Sequence, residues 1–96
     1  MSRVFEWDEK KAASNYQKHG VQFKIAARVF DDPFATSEPE RIENGEQRWQ
    51  TIGMVDGYLL LMVAHTVRFE DESVEVVRII SARQLNRKER KYYEHG

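Results

Sequence analysis

The fold is decided by the stretch RWQTIGMVDGYLLLMVAHTVRF, residues 48–69, in which two apolar runs flank the pair Asp56-Gly57. An Asp-Gly pair between two strand-like runs favours a type I′ turn, because both central residues of that turn have positive φ. The stretch therefore predicts a β-hairpin whose strands cover residues 48–55 and 58–69.

The short turn also predicts the register of this hairpin. If Val55 pairs with Tyr58, then Arg48 lies directly across from His65 on one face of the sheet. Like charges opposed in this way are destabilising. The pairing therefore favours a neutral imidazole, or a site where both groups approach an anion. The alternative is a solvated Arg48 at the rim of the sheet.

Helices are predicted towards both ends of the chain. Asp8 is a good N-cap, Gly20 suits a left-handed C-terminal position, and Pro33 stops a second helix. Asn86 begins the last helix, with Glu89 three residues later in a capping-box arrangement. The predicted elements are helices over 8–19, 22–30 and 86–94, an edge strand over 34–37, a polar loop over 38–47 and a third long strand over 73–83. We therefore expect an α+β fold with two N-terminal helices, an antiparallel sheet of three to four strands and a C-terminal helix.

Length and composition indicate a single domain covering residues 1–96. Hydrophobic residues make up 41% of the chain and charged residues 32%, which is typical of a globular domain. The chain has no cysteine and three scattered histidines. It also lacks a signal pattern and any apolar run of about 18 residues. We therefore expect no metal, no cofactor and no membrane association, and a cytoplasmic location.

Positive charge is concentrated at the C-terminal end. Residues 78–96 contain six Lys/Arg and two Asp/Glu, whereas residues 1–77 contain nine Lys/Arg and fourteen Asp/Glu. Concentrated cations in an otherwise acidic small protein indicate an anion site, and phosphodiester is the commonest large anionic partner. The alternative is a solvated basic helix that binds no ligand.

Several segments occur in an order that resembles a known family. These segments are FEWD at 5–8, KHGV at 18–21, AARVFDDP at 26–33, IISAR at 79–83, and the terminal Arg87, Glu89, Arg90, Tyr93 and Glu94. Together they resemble the BrnT family of bacterial toxins over nearly the whole chain.

The resemblance implies a RelE-like ribonuclease fold and a role in a type II toxin–antitoxin module, with RNA cleavage that inhibits translation. It also implies a BrnA-type antitoxin with a ribbon-helix-helix DNA-binding domain, a heterotetramer of toxin and antitoxin, and contact with DNA only through the antitoxin. The alternatives are a module that binds the antitoxin and contributes to repression of its operon, or an RNA-binding scaffold, each without catalysis.

Metal-independent cleavage of RNA by 2′-hydroxyl attack needs a base, an acid and cations that stabilise the charged transition state. Arg83 and Arg90 offer guanidinium groups, and the unperturbed pKa of a histidine would suit His65 to proton transfer. Tyr93 can orient the ribose, stack on a base or act as the acid. The alternatives are a structural role for His65 and an anchoring role for Tyr93. On the family's pattern, Arg83, Arg90 and Tyr93 match the basic and aromatic positions.

We therefore predict a catalytic set and a phosphate-binding set. The catalytic set is Arg83, Arg90, His65 and Tyr93, and the phosphate-binding set is Arg48, Arg87 and Lys91. The guanidinium groups of the last strand and helix are expected to converge on one cavity sized for a nucleotide's backbone.

Overall fold

The computed structural model describes residues 2–95 and shows one mixed five-stranded sheet with three α-helices. The strands are β1 (Ser2–Glu6), β2 (Thr36–Glu43), β3 (Glu46–Val55), β4 (Leu59–Asp71) and β5 (Val74–Gln84). The helices are α1 (Glu9–His19), α2 (Phe23–Ala26) and α3 (Arg87–His95), and a 3₁₀ helix (Ala27–Asp31) follows α2. The sheet order is β1-β5-β4-β3-β2, with β1 parallel to β5 and the other pairs antiparallel.

Both helix-capping predictions are confirmed. The side chain of Asp8 accepts a hydrogen bond from the N–H of Lys11, and Gly20 ends α1 with φ of 68°. At α3, Asn86 Oδ1 accepts from the N–H of Glu89 at 2.8 Å, and Glu89 Oε1 accepts from the N–H of Asn86 at 2.9 Å. The reciprocal pair is a capping box, so α3 has a fixed start.

The prediction of three to four antiparallel strands is wrong at both edges of the sheet. Ser2–Glu6 forms β1, which is too short and too exposed to show an apolar pattern. Residues 38–43, predicted as a loop, belong to β2, whose register shifts between Pro39 and Arg41. Proline, charged residues and a bulge are features of a protected edge strand, and they hide its strand character in the sequence.

The predicted register of the central hairpin is wrong by one residue. Asp56 and Gly57 have the positive φ values of 55° and 79° that a type I′ turn requires. However, Val55 pairs with Leu59, because Tyr58 lies outside the ladder. His65 is therefore opposite Trp49.

Arg48 consequently lies on the other face of the sheet from His65, since a shift of one residue reverses the face. On its β2 side, Arg48 is paired with Arg41. The predicted Arg48–His65 pair does not exist, and neither interpretation of it applies.

One face of the sheet carries the core, which packs against α1, α2 and the 3₁₀ helix. Its buried residues are Val21, Phe23, Ala26, Val29, Val55, Leu61, Val63, Val77, Ile79 and Ala82. We call the opposite face the open face, defined by Gln50, Ile52, Met54, Met62, Ala64, Ser81 and Arg83, whose side chains alternate with core positions. Helix α3 lies over one end of the open face.

A buried side chain joins α1 to β5 on the core side. The Asn15 amide donates to the carbonyls of Ala82 (2.9 Å) and Val21 (3.2 Å), and its Oδ1 accepts from the N–H of Ala82 at 3.1 Å. Ala82 immediately precedes Arg83, so this contact fixes the backbone from which Arg83 extends over the open face.

Candidate functional site

Two of the predicted residues share a cavity on the open face. Arg83 extends from β5 and Arg48 from β3, and both line a cavity of ≈ 220 Å³. The other residues that line it are Glu40, Arg41, Gln50, Met62, Ala64 and Ser81. We call it the Arg48–Arg83 cavity. With Arg41 beside them, the guanidinium groups of Arg48 and Arg83 lie at one concave surface and can hold the oxygens of a phosphate.

Arg83 is held in place by the first turn of α3. Its Nη1 and Nη2 each donate to a carboxylate oxygen of Glu89 at 2.8 Å. This bidentate pair lowers the pKa of Glu89 to about 2 and raises that of Arg83, so both groups stay charged. Because Glu89 is also part of the capping box, strand end and helix start form one rigid unit. Glu89 also neutralises part of the positive charge of Arg83, which leaves less of that charge for an anion.

The arginines of α3 line a different cavity from Arg83. Arg87, Arg90, Lys91 and Glu94 line a cavity of ≈ 480 Å³ on the outer side of the helix. Arg87, Arg90 and Glu94 therefore lie on one side of the helix, as their spacing of three and seven residues requires. The expectation of a single cavity is wrong, because the short helix directs these side chains away from the strand that carries Arg83.

A third and larger concavity, of ≈ 720 Å³, runs between α3 and the open face. We call it the α3 groove. It shares Gln50 and Met62 with the Arg48–Arg83 cavity and Glu94 with the outer cavity of α3. Its other lining residues are Asp32, Phe34, Thr36, Glu38, Ile52, Met54, Tyr92 and Tyr93. The three concavities are therefore neighbours around α3.

Tyr93 lines the α3 groove and anchors α3 to the body of the protein. Its hydroxyl donates to Asp32 Oδ2 at 2.9 Å, and Asp32 also accepts from the N–H groups of Met54 and Phe34. Burial and this hydrogen bond raise the pKa of Tyr93, so the phenol stays protonated at neutral pH. Burial favours a higher pKa for Asp32, but the three hydrogen bonds together lower it. Asp32 immediately precedes Pro33, and the sequence had indicated this segment only as the stop of the second helix.

His65 lies away from these cavities, on the core face of the sheet. It is 2% exposed, its Nε2 is 2.7 Å from Thr51 Oγ1, and its ring meets Phe30 edge-on at 4.9 Å. Burial lowers the pKa of His65, although the carbonyl of Thr66 opposes the shift, and the ring is neutral at pH 7. This position does not bring His65 to a substrate bound over Arg83.

The buried imidazole predicts acid-sensitive stability. Because the pKa of His65 is lower in the folded chain than in the unfolded chain, the unfolded state binds the proton first. The free energy of unfolding should therefore fall as the pH drops below about 6.5. Chemical denaturation of the wild type and His65→Gln, compared between about pH 5 and pH 8, measures this change.

In His65→Gln, the free energy of unfolding should depend less steeply on pH than in the wild type, whatever the absolute stability of the variant. His19→Gln is the matched control, since His19 is exposed at the end of α1 and should keep the wild-type slope. Parallel pH profiles for the wild type and His65→Gln would contradict the assignment of the slope to His65.

Sequence reasoning missed one carboxylate of the Arg48–Arg83 cavity. Glu40 lines the cavity from β2, in the segment predicted as a loop. A carboxylate beside two guanidinium groups is a proton acceptor next to an anion site. Its place in the strand is visible only once the edge strand is recognised.

Residues 2–95 contain no cluster of three or more His, Cys, Asp or Glu side chains placed to hold a metal ion. Within the same range, no helix has the length and apolar character needed to cross a membrane.

Comparisons with known proteins agree with the fold. A family model described as the ribonuclease toxin BrnT of type II toxin–antitoxin systems matches residues 7–89. The chain is also similar to the crystal structure of the Brucella abortus ribonuclease toxin BrnT, with a TM-score of 0.67 and 21% sequence identity. That similarity covers 91% of this chain and 100% of the other. None of the curated proteins compared with the chain matches it.

Proposed function

Because the chain belongs to the family of BrnT ribonuclease toxins of type II toxin–antitoxin systems, we propose that it is a metal-independent endoribonuclease acting at the open face. It has a toxin's role, and the proposed activity inhibits translation by cleaving RNA. The α+β fold with a five-stranded mixed sheet is similar to that of the Brucella toxin. We infer from the family resemblance that this is a RelE-like fold.

The observation that carries the proposal is the shared cavity of Arg48 and Arg83. Negative charge builds up on the phosphate oxygens when a fifth oxygen approaches phosphorus. Preorganised guanidinium groups stabilise this charge because they are already oriented before the reaction. The bidentate contact with Glu89 provides that orientation for Arg83, and Arg48 is half-buried and contacts Glu43 at 3.1 Å.

The proposed step forms a bond between the ribose 2′-oxygen and phosphorus and breaks the bond between phosphorus and the 5′-oxygen. The products are a 2′,3′-cyclic phosphate and a 5′-hydroxyl. Glu40 is the proposed acceptor of the 2′-hydroxyl proton, because it lines the cavity that holds the two guanidinium groups. The leaving 5′-oxygen is proposed to take its proton from the protonated phenol of Tyr93, which gives up its hydrogen bond to Asp32 in that step and regains a proton from water.

The basic side chains of α3 have a second proposed task. Arg87, Arg90 and Lys91 line the outer cavity, which adjoins the α3 groove through Glu94. A neighbouring phosphate of the same RNA strand would lie there. Of the four predicted catalytic residues, Arg83 and Tyr93 keep a proposed part in the chemical step and Arg90 a part in binding. His65 receives none, since it is buried on the core face.

The proposed partner is a BrnA-type antitoxin with a ribbon-helix-helix domain, forming a heterotetramer in the cytoplasm. A type II toxin has a protein antitoxin by definition of the class, and the family description supplies that class. In this arrangement the antitoxin contacts the operator DNA and the toxin does not.

Incubation of antitoxin-free protein with total RNA in the presence of EDTA tests the proposal. We expect cleavage that survives chelation and leaves 2′,3′-cyclic phosphate and 5′-hydroxyl ends, because every proposed group belongs to the protein. Loss of cleavage on chelation would contradict metal independence. Intact RNA, together with retained binding of the antitoxin, would favour the alternative of a non-catalytic module that contributes to repression.

A further inference from the structure

The α3 groove has the lining of a site for a flat aromatic ligand. Phe34 and Tyr92 are large aromatic side chains that are 77% and 72% exposed. Both line the groove, together with the half-buried side chains of Ile52, Met54 and Met62 on the sheet. Aromatic side chains that are left in water beside an apolar surface can stack on a nucleobase, whatever its identity.

The groove adjoins the Arg48–Arg83 cavity. Gln50 and Met62 form part of the wall of both concavities. A nucleotide whose phosphate lies at Arg48 and Arg83 can therefore place its own base, or that of its neighbour, in the groove.

The charges of the two concavities favour a base in one and a phosphate in the other. The groove is lined by the carboxylates of Asp32, Glu38 and Glu94 and by no basic residue among those described. An anion is repelled from such a surface. A neutral base is accepted there, and its amino groups can donate to carboxylate oxygens.

Glu38 is the carboxylate best placed to read a base. It is paired with Gln50 across β2 and β3, where the groove meets the Arg48–Arg83 cavity. The oxygens of Asp32 already accept hydrogen bonds from Phe34, Met54 and Tyr93. A carboxylate accepts from an exocyclic amino group, whereas uracil offers only its single N3–H, which lies between two carbonyl oxygens that repel the carboxylate.

From this arrangement we infer that the α3 groove binds one base of the RNA substrate and selects bases with an exocyclic amino group over uracil. The inference rests on the proposed ribonuclease function. Phe34 and Tyr92 provide the stacking surface, and Glu38 with Gln50 reads the edge of the base. The groove therefore sets where the RNA is cut, and the Arg48–Arg83 cavity supplies the charge for cutting.

Cleavage of matched oligonucleotides that differ only at the base next to the cut site tests the selection. Phe34→Ala and Tyr92→Ala should each raise the KM by about tenfold, since stacking on an aromatic side chain strengthens the binding of a base by about that factor. Tyr58→Ala is the matched control, because Tyr58 is also 72% exposed but lies in the turn of the central hairpin. Glu38→Gln should reduce the preference against uracil while leaving the fold unchanged.

A binding measurement separates this inference from the proposed activity. The RNA is made non-cleavable by 2′-deoxy substitution at the cut site, and the methyl signals of Met54 and Met62 are followed by NMR. We expect both signals to shift with a cytosine-containing strand and to shift less with its uracil counterpart. If these shifts occur in a protein that does not cleave the corresponding ribonucleotide strand, the base site is supported and the ribonuclease proposal is contradicted.

Two results would overturn the inference. One is cleavage by the wild type with no dependence on base identity and no effect of Phe34→Ala or Tyr92→Ala. The other is a pair of methionine signals that stay unmoved by saturating RNA but shift when the antitoxin is added. In that case the groove belongs to the protein partner.

Discussion

Replacing Arg83 with alanine is expected to lower the rate of RNA cleavage by about a hundred- to a thousandfold, the usual effect of removing one preorganised transition-state donor. Arg83 lines the same cavity as Arg48 and is oriented by the bidentate contact with Glu89. Arg83→Lys should recover only part of the rate, because an ammonium group keeps the charge but cannot make the two parallel contacts. Single-turnover cleavage of one defined RNA measures both variants.

A control is needed because Arg83 also fixes the start of α3. Arg3→Ala removes another exposed arginine that forms an ion pair, with Glu75, and Arg3 lines none of the three concavities around α3. It should cleave at the wild-type rate. Glu89→Gln removes the carboxylate that orients Arg83 but leaves the positive charge of Arg83 in place. If Arg83→Ala cleaves like the wild type, or loses activity only in proportion to its unfolded fraction, the catalytic assignment fails.

The largest expected effect on stability belongs to Asn15→Ala. The buried amide of Asn15 makes three hydrogen bonds to the backbone of Ala82 and Val21. Without the amide, one N–H and two carbonyls in the core lose their hydrogen-bond partner. Each unsatisfied group lowers the free energy of unfolding by about 1–3 kcal/mol. We expect a loss of about 3 kcal/mol, which lowers the Tm of a domain of this size by more than about 10 °C.

Thermal unfolding followed by circular dichroism measures this loss. Gln17→Ala is the control on the same helix, since Gln17 is exposed and should change the Tm little. An Asn15→Ala protein with the wild-type Tm would show that water or local relaxation replaces the amide. The contact would then not be what fixes the backbone before Arg83.

Elements with a local signal could be predicted from the sequence. The caps at Asp8 and Asn86 and the glycine at position 20 each satisfy backbone groups of a neighbouring turn, so the residue type reveals the structure. The central hairpin was also evident from its apolar runs. Its register was not, because the ladder begins one residue later than the Asp56-Gly57 pair alone suggests.

Elements defined by distant partners could not be predicted. Strand β1 exists because its residues pair in parallel with β5, about seventy positions later in the sequence. Strand β2 has charged side chains and Pro39 at an edge, which is also the composition of a loop. The predicted edge strand ended at residue 37, whereas β2 extends to Glu43, so the sequence did not place Glu40 beside the arginines.

The candidate site was predicted in part. Charge clustering and the family resemblance both indicated Arg83 and the basic helix, and the structure places Arg83 with Arg48. Residue type alone gave His65 a chemical role, but a histidine on a strand faces either the core or the solvent, and the register decides between them. The separation of Arg87 and Arg90 from Arg83 depends on how α3 crosses the sheet, which no local pattern encodes.

The central claim is that RNA binds over the open face, and methyl NMR of labelled alanines tests it most directly. Ala64 lines the Arg48–Arg83 cavity, whereas Ala13 is exposed on α1 on the other side of the sheet. With a saturating non-cleavable RNA, we predict a large shift of the Ala64 methyl signal and no shift of the Ala13 signal. An unmoved Ala64 signal in a protein that demonstrably binds the RNA would contradict the account.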